Sequence, residues 1–356
     1  MPDPFNGELA TRKAAFLTFP QAVPLKYALD AENCLYLIKK KCGICKKICP
    51  AEAVEFDQKP EIFQIEAGAV VISTGFEPAL TAQEGEFGYG RYQNVVTSLQ
   101  YERMLSATGP YGGHLQRPSD HKVPGKVAWI QCAMSRDPAR NRPFCSSVCC
   151  MHAAKQAVLT RSHEPETEAT IYFLDIRAHG KGFDDDVDRA RNQHGVRYRR
   201  SMISQVYLNP ENDNLIIETF DHHLNRKKEE EYDLVVLSSG FKPSDDFIDL
   251  TKQMGLATNP YGFLTTEFDE PVATSRPGIF VCGGIEAPKD IPETVIQAGA
   301  AAAEASILIS DARNTEIVAE KVPVEKPMET TPRVGVLVCH CGTNIAGVVD
   351  IQEVLN

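Results

Sequence analysis

Between Cys132 and Cys150 the chain carries four cysteines, at Cys132, Cys145, Cys149 and Cys150, in the pattern Cys-x12-Cys-x3-Cys-Cys. The preceding run, Lys126 to Gln131 (K-V-A-W-I-Q), reads as a buried strand, so Cys132 falls at its end. A helix is expected next, through about Thr160, with Ser146 or Ser147 as its cap. In a nucleotide-binding fold, strand, loop and helix in this order hold a glycine-rich phosphate loop. Here the loop has cysteines and no glycine. Four thiolates meeting at a strand end and a helix N-terminus suit an iron–sulfur cluster, whose ligands are thiolates and whose negative charge the helix end favours. Two other readings stay open. Zinc also accepts four thiolates, although adjacent cysteines are unusual ligands for it, and buried cysteines often bind nothing.

A length of 356 residues suggests two or three domains, and 43% hydrophobic residues are enough for real cores. The net charge of −11, with no basic patch, argues against nucleic-acid partners. No run of 18 apolar residues could span a membrane. The N-terminus, M-P-D-P-F-N-G-E-L-A, lacks a basic region followed by an apolar one, so no signal peptide is read. With eleven cysteines, this points to a reducing, cytoplasmic setting and to metal ligation rather than disulfides.

Residues 1–30 have no clear amphipathic period. A second cysteine group follows: Cys34-x7-Cys42-x2-Cys45-x3-Cys49-Pro50. Its C-x2-C-x3-C-P half is the ferredoxin signature, with zinc or free thiols as alternatives. The gap of seven replaces the usual two, an insertion near Tyr36 to Lys40. Ala51 to Asp57 alternates like a short strand. In two-cluster ferredoxins the fourth cysteine serves the other cluster. With one such group here, either the domain holds one cluster or its first half lies upstream of Met1.

Gly68 to Phe76 and Tyr232 to Phe241 are apolar strands ending in Thr74-Gly75 and Ser239-Gly240, and each runs on to a proline, Pro78 or Pro243. Such glycines mark tight turns near a ligand or a neighbouring chain. Two copies predict two related nucleotide-type domains. Thr170 to Asp175 resembles a second Rossmann strand, with Asp175 where an acid could read a ribose, a role weakened by the missing phosphate loop. Phe183 to Gln193 reads as a surface helix. Val196 to Arg200, Ser204 to Leu208 and Leu215 to Phe220 read as a small meander. His222 and His223, with Arg226 to Glu231, read as a solvated turn. Gly278 to Cys282 is a strand with Cys282 as a core residue. Gly283 and Gly284 follow, then a helix from near Pro292 or Glu293 with Asp290 as cap. Small residues from Ala298 to Ala303 let it pack closely, an arrangement that brings a helix N-terminus against a flavin or its ribityl-phosphate chain. Asn314 to Thr331 is a charged linker, and Arg333 to Asn356 starts something new, a strand ending in Cys339-His340-Cys341-Gly342.

Over almost its whole length the sequence resembles the A-type component of heterodisulfide reductase and its relative in the quinone-interacting membrane-bound oxidoreductase complex. The resemblance rests on the Cys132–Cys150 pattern, on A-P-K-D-I-P-E-T at Ala287 to Thr294, on F-P-Q-A-V-P at Phe19 to Pro24, and on V-C-H-C-G-T-N-I-A-G-V-V-D at Val338 to Asp350. It implies an α/β, thioredoxin-reductase-like fold with two dinucleotide-binding domains, incomplete, with a partial ferredoxin-like insertion. The implied divisions are a partial ferredoxin domain at 1–62 and part of an FAD-binding domain at 63–120 and 245–312. A second nucleotide-type domain with a cluster spans 121–244, followed by a linker at 313–331 and the start of a further domain at 332–356.

The implied cofactors are FAD and [4Fe-4S] clusters. Cys132, Cys145, Cys149 and Cys150 match cluster ligands, and Cys34, Cys42, Cys45 and Cys49 match the ferredoxin. Thr74, Gly75, Gly283, Gly284, Pro288, Lys289, Asp290 and Ile291 fall on the flavin side. Lys155 looks placed to reach the flavin as a catalytic group, beside its plain reading as a solvated lysine. The implied activity is electron transfer between FAD and the clusters, with flavin-based bifurcation among its modes. The implied partners are B and C subunits, an electron-donating hydrogenase, formate dehydrogenase or NADH module, and ferredoxin.

The sequence departs from the family in lacking the amino-terminal G-x-G-x-x-G, the first ferredoxin cysteine group and the carboxyl-terminal ferredoxin. The chain is therefore expected to be a fragment or one piece of a tandem fusion, and the spacing after Cys34 is nearer the quinone-interacting relative. A plain NAD(P)H-dependent flavin reductase is disfavoured by the missing glycine loop near Gln131 to Arg136. A zinc-stabilised structural module is the rival without redox activity. No nucleophile–base pair or acid pair stands out.

Overall fold

The computed structural model describes residues 1–80, 85–221, 225–315, 317–319, 321–324, 334–338, 340, 345 and 348–356. The larger of its two units comprises residues 6–10 and 65–308. Its main elements are β1 (Val70–Ile72), β2 (Val95–Thr97), α1 (Ser98–Leu105), β3 (Lys126–Ala133), α2 (Cys149–His163), β4 (Glu168–Phe173), α3 (Phe183–Asn192), β5 (Arg197–Arg200), β6 (Ile203–Leu208), β7 (Leu215–Asp221), β8 (Arg226–Tyr232), β9 (Leu234–Ser239), α4 (Asp245–Met254), β10 (Ile279–Val281) and α5 (Ile291–Leu308).

Strands β2, β9, β3, β4 and β5 lie side by side in that order, all parallel. A parallel sheet must be covered on both faces, so its central strands read as continuous apolar runs. All six residues of β9 are buried. On one face, α1 and α2 pack over Val127, Trp129, Ile171 and Val236, with the Tyr101 ring edge-on to Trp129 at 5.4 Å. On the other, the antiparallel meander β6–β7–β8 brings Val206, Leu215, Ile217 and Tyr232 against Ala128, Ile130, Val235 and Leu237.

The meander is displaced from its expected place. Val196 to Arg200 was expected within it, but Arg197–Arg200 is the edge of the parallel sheet, beside β4. The third meander strand is Arg226–Tyr232, expected as a solvated turn. Its sequence, R-K-K-E-E-E-Y, hides the strand because it is an exposed edge, where charges block further pairing and only Tyr232 is buried. His222 and His223 lie outside the described residues.

The two Gly-Phe-x-Pro repeats meet. Glu77–Pro78 pairs antiparallel with Phe241–Lys242, and the Phe76 and Phe241 rings stand 4.0 Å apart. Strands β1 and β10 pair in parallel, and α5 follows β10. Cys282 is buried among Val272, Phe280 and Ala301, as expected of a core residue.

The smaller unit comprises residues 1–5, 11–64 and 309–356. Ala15–Phe16 pairs with Ala28–Leu29, and short helices span Leu35–Lys39 and Ile44–Ile48. Ala51 to Asp57 is not a strand. Its one buried aromatic, Phe56, stacks on Tyr36 at 3.8 Å between ring centroids instead of entering a ladder. Cys339 and Cys341 lie outside the described residues. Among the described residues no helix is long and apolar enough to cross a membrane.

Helix α1 starts in a capping box: the Thr97 hydroxyl accepts from the Gln100 N–H, and the Gln100 side chain accepts from the Thr97 N–H. Trp129, the chain's sole tryptophan, lies fully buried beneath it and reports unfolding by its fluorescence. Thr97→Ala should lower stability in urea by about 1 kcal/mol with an unchanged slope, followed by that emission; an unshifted midpoint would deny the cap its role.

Candidate metal centre

At the end of β3 the backbone leaves ordinary strand geometry. Cys132, Met134, Arg136 and, further on, Ser147 hold φ of 62, 60, 59 and 67°. Non-glycine residues in this left-handed region cost on the order of 1–3 kcal/mol each and persist only where the surroundings over-determine them. The surroundings do so here. The Arg136 N–H donates to the Phe144 carbonyl at 2.9 Å, and Asp137 and Arg142 exchange backbone hydrogen bonds of 2.8 and 2.9 Å. The Ser135 and Ser146 hydroxyls lie 3.1 Å apart, and the Phe241 N–H donates to Ser146 Oγ at 3.2 Å. Ser146 therefore ties the loop to the end of β9 instead of capping α2. Val148 occupies the cap position with no side-chain bond, and Ser147 is not used as a cap either. The loop rests directly on Gly240, where a Cβ would stand 2.8 Å from the Met134 carbonyl oxygen and 2.9 Å from Ser135 Cβ.

This path brings Cys132, Cys145, Cys149 and Cys150 around one pocket, with Ser135, Arg136, Ser146, Ser147, Asp175 and Arg177 completing the lining; the space is about 280 Å³, counting its open mouth. Cys149 and Cys150 open α2, where unpaired N–H groups and the helix dipole favour negative charge. Two sulfurs already accept backbone hydrogen bonds, Cys145 from the Ser147 N–H at 3.3 Å and Cys150 from the Arg177 N–H at 3.4 Å. The Cys149 thiol donates to the Ser239 carbonyl at 3.8 Å.

Burial pushes the Cys132, Cys149 and Cys150 thiols up, and for Cys149 the other three cysteines add to the rise. Such thiols stay protonated alone and ionise together on a cationic centre. Nearby, the side-chain amide of Gln131 and the hydroxyls of Ser238 and Ser239 are buried without a protein partner.

This donor set fits a cluster held by four thiolates with N–H groups aimed at sulfur. A single zinc ion would need the sulfurs roughly 3.8 Å apart, given Zn–S distances of about 2.3 Å. Among the described residues no three His, Cys, Asp or Glu side chains are gathered closely enough to share one ion. That statement covers the other group too. Cys34 is buried, Cys42 exposed, and Cys45 and Cys49 half-buried, at the ends and within the turns of the two short helices.

On the other side, Thr74 and Gly75 follow β1. Gly283 follows β10 in the left-handed region at φ 80°, and its N–H donates to Gln297 Oε1 at 2.8 Å. Lys289 turns inward, donating to Gln297 Oε1 at 2.6 Å and Glu286 Oε2 at 2.5 Å. It ties the turn together, with Pro288 beside it. Asp290 caps α5 as expected: its carboxylate accepts from the Glu293 N–H at 2.8 Å, and Glu293 accepts in return from the Asp290 N–H at 2.9 Å. Gly284 lies against the Phe76 ring, where a Cβ would come within 2.1 Å. The first turns of α5 expose Ile291, Val295 and Ile296. A capped helix N-terminus with an uncovered apolar face fits one wall of a flavin site.

Lys155 sits five residues beyond Cys150, roughly 140° round the helix. Its ammonium is about half exposed and donates to Glu102 Oε1 at 2.5 Å. The structure thus brings Lys155 to Glu102 and not into the pocket lining. Gln297, Glu286, Arg136 and Arg177 escaped the sequence reading; the Glu286–Lys289 spacing of three is the only local signal among them.

Comparison with known proteins defines the class first. A family model described as pyridine nucleotide-disulphide oxidoreductase matches residues 151–302, beginning just after Cys150. With the helix-and-meander-covered parallel sheet, this is the two-dinucleotide-binding flavoprotein fold. The nearer likeness is to the A-type components of heterodisulfide reductases. The iron–sulfur A component of CoB–CoM heterodisulfide reductase from Methanocaldococcus jannaschii is 42% identical over 309 residues, 86% of this chain and 46% of that protein. A Methanopyrus kandleri protein of the same description is 40% identical over 312 residues, covering 87% and 47%. The A component of an H2:CoB–CoM heterodisulfide,ferredoxin reductase from Methanothermobacter marburgensis is 38% identical over 309 residues, covering 86% and 46%. Over most of its length the chain is a homologue of these A components, and it spans about half their length.

Two outcomes follow from the site's construction. Gly240→Ala should displace the cysteine loop, because a backbone oxygen blocks the new Cβ; the expected loss is about 1–3 kcal/mol in urea unfolding of the metal-free chain, and no loss would mean the loop does not bear on Gly240. Glu102 behaves differently. Hydrogen bonds from His152 first, with Lys155 and Gln156, hold its carboxyl at about 2 against an ordinary 4.5. Its folded value is depressed, so its contribution is present above pH 4.5 and lost as pH falls toward about 2. The stability difference between wild type and Glu102→Gln should shrink across that window; a difference independent of pH would contradict the assignment.

Proposed function

We propose that this chain is part of an electron-transfer iron–sulfur flavoprotein component of a heterodisulfide reductase-type complex, passing electrons between FAD and [4Fe-4S] clusters. The observation that carries the reading is the placement of four thiols around one pocket at the position where a dinucleotide fold would hold its phosphate loop. Cys132, Cys145, Cys149 and Cys150 would hold the cluster, with the Ser147 and Arg177 N–H groups donating to two of the sulfurs. Cys34, Cys42, Cys45 and Cys49 are proposed as ligands within the ferredoxin-like segment, 1–62. Thr74, Gly75, Gly283, Gly284, Pro288, Lys289, Asp290 and Ile291 would form one wall of the flavin site. Lys289 shapes that wall through Gln297 and Glu286, and Asp290 fixes the helix end. Lys155 enters as a cation on the helix that leaves the cluster, its charge partly spent on Glu102.

When bound, FAD supplies the exchange between two-electron and one-electron transfer, and the protein supplies position, burial and hydrogen bonding that set potentials. Partners of the reading are B and C subunits, ferredoxin, and a hydrogenase, formate dehydrogenase or NADH module as donor. The names of the relatives support the first two kinds, since one of them belongs to a heterodisulfide,ferredoxin reductase. Bifurcation at the flavin belongs to the same reading.

Anaerobic reconstitution of the 356-residue chain, with iron, zinc and acid-labile sulfide quantified, tests the reading. Iron and sulfide should bind in equal amounts, and a Cys149→Ala, Cys150→Ala double variant should lose about four of each. Zinc in place of iron, or a double variant that loses nothing, would make the chain a structural module instead.

A further inference from the structure

We propose that Arg136 and Arg177, linked through Asp175, form a positive rim on the cysteine pocket that raises the reduction potential of the cluster held there. The inference rests on the pocket being a cluster site, as argued above.

Three residues of the pocket lining are charged: Arg136, Asp175 and Arg177. Asp175 follows β4 by two residues. That is the place where a dinucleotide fold uses an acid to read a ribose. Here its carboxylate is engaged by both guanidinium groups, Arg136 Nη1 and Arg177 Nε, the latter at 3.4 Å. Burial would push that carboxyl up, and the two arginines outweigh burial and hold it below the ordinary range. The acid is therefore occupied, and the rim carries two positive charges against one negative, a net +1 in a chain of net −11.

The rim also reaches the sulfurs. The Arg136 side chain hydrogen-bonds the Cys132 thiol. The Arg177 backbone N–H donates to Cys150 Sγ. Arg136 is the better shielded of the two, its side chain 23% exposed against 37% for Arg177, so its field is screened less by salt. A one-electron reduction adds one negative charge to the pocket, and no bond forms or breaks in the rim. A fixed positive charge beside a sulfur ligand stabilises that reduced state more than the oxidised one, and hydrogen bonds to sulfur act in the same direction. Arg136 is thus a positioning and field-setting residue, and Asp175 tempers it.

Redox titration of the reconstituted 356-residue chain with dithionite, followed by electron paramagnetic resonance, tests this with iron content as control. Arg136→Gln should lower the equilibrium constant for reduction about tenfold, a fall of about 59 mV for a one-electron couple. Arg136→Lys, which keeps the charge, should stay within about threefold of wild type. Asp175→Asn should move the potential the opposite way, upward. Arg177→Gln, which leaves the backbone N–H in place, should lower it by less than Arg136→Gln and stands as the second probe if Arg136→Gln loses its iron. A merely structural rim would lower iron content in all four without opposite shifts. Full iron with no shift in either glutamine variant, or Asp175→Asn and Arg136→Gln moving together, overturns the rim and leaves the cluster intact. A wild-type chain that takes up no iron and sulfide overturns the cluster reading and the rim with it.

Discussion

The site depends on one contact, the seating of the cysteine loop on the end of β9. Residues 134–146 can lie there only because position 240 has no side chain. Ser146 and the Phe241 N–H then fasten the loop, and Phe241 stacks on Phe76 from the other repeat. The same few residues therefore end two strands, join the two repeats and fix where four thiols converge. Changing the loop's resting place would move the thiols before it disturbed the sheet.

Two costs are carried at this place. Four non-glycine residues hold left-handed backbone, and three thiols are buried where ionisation is disfavoured. Neither cost stabilises the fold on its own account. The sheet beneath, closed by Trp129 and Ile171 on one face and Leu215 and Ile217 on the other, supplies the rigidity that sustains them. A bound cationic cluster would offset both, since it ionises the thiols and fixes the loop in the shape it already has. That is the physical sense in which the phosphate loop of a dinucleotide fold can be exchanged for metal ligands: both need a strand end, a helix N-terminus and a backbone bent sharply between them.

Much of this was legible in the sequence, and the rest was hidden for identifiable reasons. Apolar runs located β3 and β9, and the Asp290–Glu293 spacing located the start of α5, because burial and capping leave local marks. The repeated Gly-Phe-x-Pro was visible as a repeat, whereas its pairing is a contact between distant parts of the chain that no local pattern carries. Arg226 to Glu231 looked like a loop because an edge strand facing water has no apolar alternation. Ser146 looked like a helix cap because serine two or three residues before a helix usually is one, and the distant Phe241 N–H won it instead. Arg136 and Arg177 gave no signal, since they meet at Asp175 only when β3 and β4 lie side by side.

The central claim is that the pocket of Cys132, Cys145, Cys149 and Cys150 holds an iron–sulfur cluster. The most direct measurement is X-ray absorption at the iron edge on a chain whose other candidate ligands are removed, as Cys34→Ser, Cys42→Ser, Cys45→Ser and Cys49→Ser. The account predicts iron surrounded by sulfur, with a second shell of iron neighbours. Iron bound only through oxygen or nitrogen, or a site that takes zinc and leaves iron in solution, would contradict it.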